Sequence, residues 1–149
     1  MGIVEFLTAC LAEDERIARA ATAGPWRAHD THLGQYGYAA TILSGEGNDT
    51  DLRAWLPSMS NEPWDETRNV WADAAHIAEH DSARVLREID AKREIVRDFQ
   101  AALAERDTVE VGADAYHRMV GTVTSLRRVV CGLAAAYSHR PGFKEEWRP

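Results

Sequence analysis

Cysteine is nearly absent from this chain, with Cys10 and Cys131 its only two. Both sit in apolar, helix-like stretches, so the expectation is two reduced thiols packed as small hydrophobes rather than a disulfide. Long apolar runs are missing as well. No segment approaches the ~18 apolar residues of a membrane span, and Met1-Gly-Ile-Val-Glu5 lacks the basic start of a secretory signal. The expected location is the cytoplasm, with no membrane partner. Positive charge is also in short supply, 17 Lys and Arg against 24 Asp and Glu, for a formal net charge of -7. That balance argues against binding along a nucleic-acid backbone, which needs a concentrated basic face, but leaves room for a small anion pocket built from a few arginines. Finally, there is no phosphate loop, Gly-x-Ser-x-Gly elbow, zinc ribbon or dinucleotide fingerprint. The direct routes to an enzyme are closed, and no cofactor is implied.

What is present suits one globular domain over residues 1–149, with 45% apolar and 28% charged residues. Ile3, Leu7, Cys10, Leu11, Ile17, Ala18 and Ala21 recur at helical spacing and predict a helix over 3–22, ended by Gly24-Pro25. Residues 25–67 differ in kind, being rich in glycine, proline and aromatics, with the β-rich part at 25–57. Short apolar runs at Gln35–Leu43 and Leu52–Leu56 flank the turn-rich 44–49, with Trp26–Asp30 as a possible further strand. Two or three strands cannot stand alone in water, so this sheet must pack on helices. Trp26, Tyr38 and Trp55 form the expected aromatic cluster, a filler of that core or, alternatively, the lining of a groove for a planar ligand.

After a polar loop at 58–68 come helices at 69–79, 81–106 and 113–137, then a tail at 138–149 docked by Phe143 and Trp147. Asp81 is placed to cap the second of these helices. Gly121 and Gly132 weaken the last helix on propensity, or else permit close helix contact. The fold class is α+β, mostly α, with about four helices packed around a small two- to three-stranded antiparallel sheet.

Two anomalies mark where chemistry could reside. His76 and His80 stand four apart on a helix, so both rings project from one side, the spacing by which helices share a metal. The intervening Ile77-Ala78-Glu79 does not make a His-Glu-x-x-His motif, and two ligands specify a site weakly. Asp14 falls in the middle of the first helix's apolar stripe, where a carboxylate must be paired, protonated or at a cavity edge. Arg93 is the matching oddity in the long central helix, and an Asp14–Arg93 ion pair is the simplest structural account. A sharper alternative joins Asp14 with His76 and His80 around a divalent metal or a polar ligand. Arg127-Arg128 and His139-Arg140 suggest a basic spot near the C-terminus. Adjacent helical residues diverge by about 100°, so at most one of the paired arginines is expected in any given pocket.

As an ordered set, the motifs resemble a known family. They are Leu11-Ala-Glu-Asp-Glu15, then Ala20-Ala-Thr-Ala-Gly-Pro-Trp-Arg27, then Asp73-Ala-Ala-His-Ile-Ala-Glu-His-Asp81 followed by Ala83–Arg93, and last Tyr137 with Pro141–Pro149. The set is similar to a family of small actinobacterial and actinophage proteins, domain of unknown function family 6221. The Thr-x-Gly-Pro-Trp segment is also similar to phage accessory proteins of the Ea22-like type. Where the family often has proline after His-Asp, this chain has Ser82. Proline at that position starts helices, so the resemblance implies a structural role for His80-Asp81. It brings no activity, cofactor or catalytic residue. The expected function is therefore a non-enzymatic accessory protein binding a host protein or a small ligand. The alternatives are a metal-dependent or acid–base enzyme using Asp14, His76 and His80, and a structural homo-oligomer.

Overall fold

The computed structural model describes residues 1–32, 38–45, 51–57 and 70–149, and for 30–32, 38, 51–53, 55 and 57 it describes the backbone alone. The expected loop at 58–68 lies outside the described residues, as does most of the 44–49 turn. Along the chain run α1 (Ile3–Ala20), β1 (Trp26–His32), β2 (Tyr38–Ser44), β3 (Asp51–Pro57), α2 (Val70–Glu79), α3 (Ser82–Thr108) and α4 (Asp114–Ala135), then a single 3-10 turn at Glu145–Trp147. The class is α+β, mostly α, with four α-helices and a small antiparallel sheet among the described residues. The fold divides into two compact units, one of Met1–Arg16 with Glu88–Pro149, the other Ile17–Arg87, so the division falls inside α1 and α3.

The unit of residues 17–87 holds the sheet, ordered β1-β2-β3. β1 pairs β2 antiparallel from Trp26↔Ser44 to His32↔Tyr38, and β2 pairs β3 from Ala39↔Pro57 to Ser44↔Asp51, with a register shift at Ile42/Leu43. Strand alternation sends Ala40 and Ile42 to one face, where both are fully buried. There they meet Val70 and Ala74 of α2, with Trp26, Ala28, Ala54, Leu56 and Trp71 packed around them. A sheet of three strands gains its stability from that helix, as strands this few require. On α2 the buried stripe is Val70, Ala74 and Ala78, one residue per turn, while Ile77 is left exposed. Trp71 packs against the sheet core from the same helix.

The other unit is helical. Its buried residues include Phe6, Leu7, Cys10 and Leu11 from α1, Ile89, Val96, Phe99 and Ala102 from α3, and Val123, Val130 and Ala134 from α4. Beyond α4 the chain turns at Arg140-Pro141-Gly142, where Gly142 takes a φ of +93° that other residues resist. Trp147, 3% exposed, then lies 5.1 Å from Phe6 and 5.9 Å from Phe143 between ring centroids. Aromatic rings at these separations and tilts bury large areas with favourable edge contacts. Gly121 and Gly132 make no close helix contact among the described residues. A Cβ at either would meet nothing within 4 Å, so these glycines face open space.

Candidate functional site

Asp14 does not pair with Arg93. Its Oδ1 accepts from Arg140 Nη2 and its Oδ2 accepts from the Tyr137 hydroxyl at 2.7 Å, while Arg140 Nη1 also donates to the Cys10 carbonyl at 3.0 Å. Arg93 instead donates to Glu15 at 2.5 Å. Helix geometry sets this pairing. Asp14 and Glu15 are about 100° apart around α1, so one faces the turn after α4 and the other faces α3. The Arg140 guanidinium also lies 4.9 Å from the Tyr137 ring centroid. These groups form a clasp between α1 and the end of α4, with Asp14 and Arg140 side chains 21% and 24% exposed.

Electrostatics within the clasp follow from burial. Tyr137 is pushed above the usual phenol range, first by loss of solvent and then by its bond to the Asp14 carboxylate. The Cys10 thiol is raised, chiefly by burial, against the opposing influence of Arg140. Arg140 is raised by its hydrogen bond to Asp14. A carboxylate with both oxygens bonded to an arginine and a phenol holds a structure together. It is poorly placed to take a proton from a substrate or to ligate a metal.

His76 and His80 belong to the other unit. Their ring centroids are 4.3 Å apart, and both side chains are exposed. His80 Nδ1 lies 2.8 Å from the His76 carbonyl oxygen, so that nitrogen carries the proton and donates. One histidine of the pair thus closes the last turn of α2. Among the described residues no group of three or more His, Cys, Asp or Glu is placed to hold a metal ion.

The same unit reveals what the family-like motifs build. Asp81, 6% exposed, accepts from the Arg84 amide at 2.7 Å and so caps α3. Its other oxygen accepts from the Trp26 amide at 3.0 Å. The Thr22 carbonyl accepts from both Ser82 Oγ at 2.7 Å and Trp26 Nε1 at 3.2 Å. Gly24 is required by contact, since a Cβ there would stand 2.6 Å from the Asp81 carboxyl carbon. Thr-x-Gly-Pro-Trp and His-Asp-Ser are two halves of one joint. Of the expected aromatic cluster, Trp26 packs on the sheet core. The side chains of Tyr38 and Trp55 lie outside the described residues.

The remaining candidate is a groove of about 510 Å³ in the helical unit. Thr124, Arg127, Arg128, Val129 and Cys131 of α4 line one part, and Arg148 and Pro149 of the tail line the rest. Both paired arginines reach it, contrary to the expectation that only one would. Their Cα positions diverge, but the groove is open and an arginine stem is long enough to lean back across the helix surface. Neither has an ion-pair partner among the described residues, whereas Arg148 is held by Glu145 at 2.7 Å. Arg148 and Tyr137 were among the members of these clusters that sequence reasoning missed, with Thr124 and Val129. Tyr137 carried a signal, as a hydroxyl inside an apolar stripe, but Arg148 carried none.

No helix among the described residues is long and apolar enough to cross a membrane. No curated protein and no solved structure matches the chain. One family does match, over residues 1–149, and it is described as a family of unknown function. The chain belongs to that family, DUF6221.

Proposed function

We propose that this protein binds rather than catalyses, and that its ligand site is the arginine-lined groove beside α4. The observation that carries the reading is the sharing of one groove of about 510 Å³ by Arg127 and Arg128, neither neutralised by a carboxylate among the described residues. A cavity of that size suits a small ligand, and a guanidinium presents a planar fork that matches carboxylate or phosphate oxygens. In a chain of net charge -7, two uncompensated arginines side by side are the natural seat for an anion. The candidate acid–base group Asp14 is committed to Arg140 and Tyr137, which supports a non-enzymatic role. An accessory role in a phage or prophage, toward a host molecule, is supported by the resemblance of the motif set. A cytoplasmic setting is supported by two free cysteines.

The test is an anion titration of the whole protein at low salt, followed through the side-chain Nε–H signals of its arginines by NMR. Phosphate and dicarboxylates should move the Arg127 and Arg128 signals, with the response weakened in R127Q and R128Q and by added salt. Anions that leave both signals unmoved would refute the reading. Stoichiometric zinc, manganese or iron that disappears in His76→Ala would support the metal-enzyme alternative instead.

A further inference from the structure

Resting on that groove reading, we infer that the ligand is a small organic dianion, a phosphate monoester or a dicarboxylate, attached to an apolar body. The charge follows from counting. Of the three guanidiniums on the groove, Arg148 is matched by Glu145 through Nε to Oε2 at 2.7 Å and Nη2 to Oε1 at 3.3 Å. Arg127 and Arg128 remain, with no carboxylate, that of Pro149 included, in ion-pair reach of either among the described residues, and two positive charges are complemented by two negative ones. A monoanion leaves one guanidinium without a counter-charge, while a long polyanion extends past a groove of this volume.

Thr124 adds nothing to anion binding. Its hydroxyl proton is committed to the Val120 carbonyl at 2.8 Å, so its oxygen faces the groove only as an acceptor. The negative end of the ligand is therefore held by arginine alone. The apolar body follows from the rest of the lining. Val129 is 48% exposed beside the arginines, about 100° around the helix from the fully buried Val130. Together with Cys131 and Pro149 it gives the groove an apolar wall beside the charges. Inorganic phosphate would leave that wall wet, and covering it is favourable at about 25 cal/mol per Å².

Calorimetric titration of the whole protein at low salt, with five probes, tests this. Phenyl phosphate and phthalate are dianions with a ring, phenyl sulfate is a monoanion with the same ring, inorganic phosphate lacks the ring, and hexaglutamate mimics an acidic protein segment. Phenyl phosphate or phthalate should bind tightest, and whichever leads identifies the phosphate or the carboxylate source. R127Q and R128Q should each weaken that binding by about tenfold, the factor for one charge-assisted contact of roughly 1.4 kcal/mol. V129A should weaken the ring-bearing dianions by about threefold and leave inorganic phosphate unchanged.

Phenyl sulfate binding as tightly as phenyl phosphate would overturn the charge count. Inorganic phosphate binding as tightly would overturn the apolar body. Hexaglutamate binding tightest would replace the small ligand with an acidic partner segment. Each of those results leaves the anion groove standing. Silence from all five probes would remove both the groove reading and this inference.

Discussion

Neutralising Asp14 should uncouple α1 from the end of α4, and the size of the effect can be bounded from the clasp. Asp14→Asn removes the charge but keeps the shape, so it isolates the ionic part of the interaction. Both side chains of the pair are about four-fifths buried. The coupling should therefore fall between the ~0–1 kcal/mol of exposed pairs and the 3–5 kcal/mol lost when one partner of a fully buried pair is removed. A central value is about 2 kcal/mol for Asp14→Asn alone, lowering the melting temperature by roughly 4–8 °C for a chain of this size. Arg140→Gln should cost more, because Arg140 also donates to the Cys10 carbonyl. A double-mutant cycle cancels that extra bond and leaves the Asp14–Arg140 coupling, expected at about 1.5 kcal/mol by urea denaturation. Coupling below about 0.5 kcal/mol, the surface-pair range, would refute the reasoning.

The other predictions concern single positions. Gly121→Ala and Gly132→Ala should each stabilise the protein by about 0.5–1 kcal/mol, since both sites are helical with open space for a methyl group; loss of stability in either would mean the glycine is packed after all. Asp81→Ala should cost about 2–3 kcal/mol, the α3 cap plus an unpartnered Trp26 amide, and denaturation curves that overlay the parent's would dismiss the joint. Tyr137, whose folded pKa is raised, contributes stability that is intact below the ordinary phenol value of about 10 and declines as pH rises above it. Tyr137→Phe should flatten that alkaline decline, and absorbance at alkaline pH should show one phenol ionising only with unfolding. Cys131, half-buried on the groove, should react with a thiol reagent well before Cys10, which is buried and raised in pKa; equal rates would contradict the burial.

Helix spacing made the four helices and the sheet segment legible in the sequence, because burial leaves a period in the residue pattern. It also singled out Asp14 and Asp81. What periodicity does not encode is which partner answers an odd residue. Asp14 meets Arg140, 126 positions away, and the choice between Arg93 and Arg140 turned on a rotation of one residue along α1. The groove was half legible for a related reason. A helical wheel places Cα positions, but Arg127 and Arg128 have stems that carry their charges well away from them. Arg148 reaches the same groove only because Phe6, Phe143 and Trp147 hold the tail, a placement made by packing across the length of the chain.

The joint at Asp81 bears on how likeness within this family should be interpreted. The segments that make the chain recognisable, Thr22–Trp26 and His80–Ser82, spend their polar groups on one another. Any sequence that preserves them inherits a way of turning from α1 into the sheet and of starting α3. Arg127 and Arg128 sit outside the recognisable segments, whereas Arg148 lies within Pro141–Pro149, so only the first two are under no obligation to travel with that turn. Kinship detected through the joint is kinship of scaffold, and it carries no information on the residues at positions 127, 128 and 129.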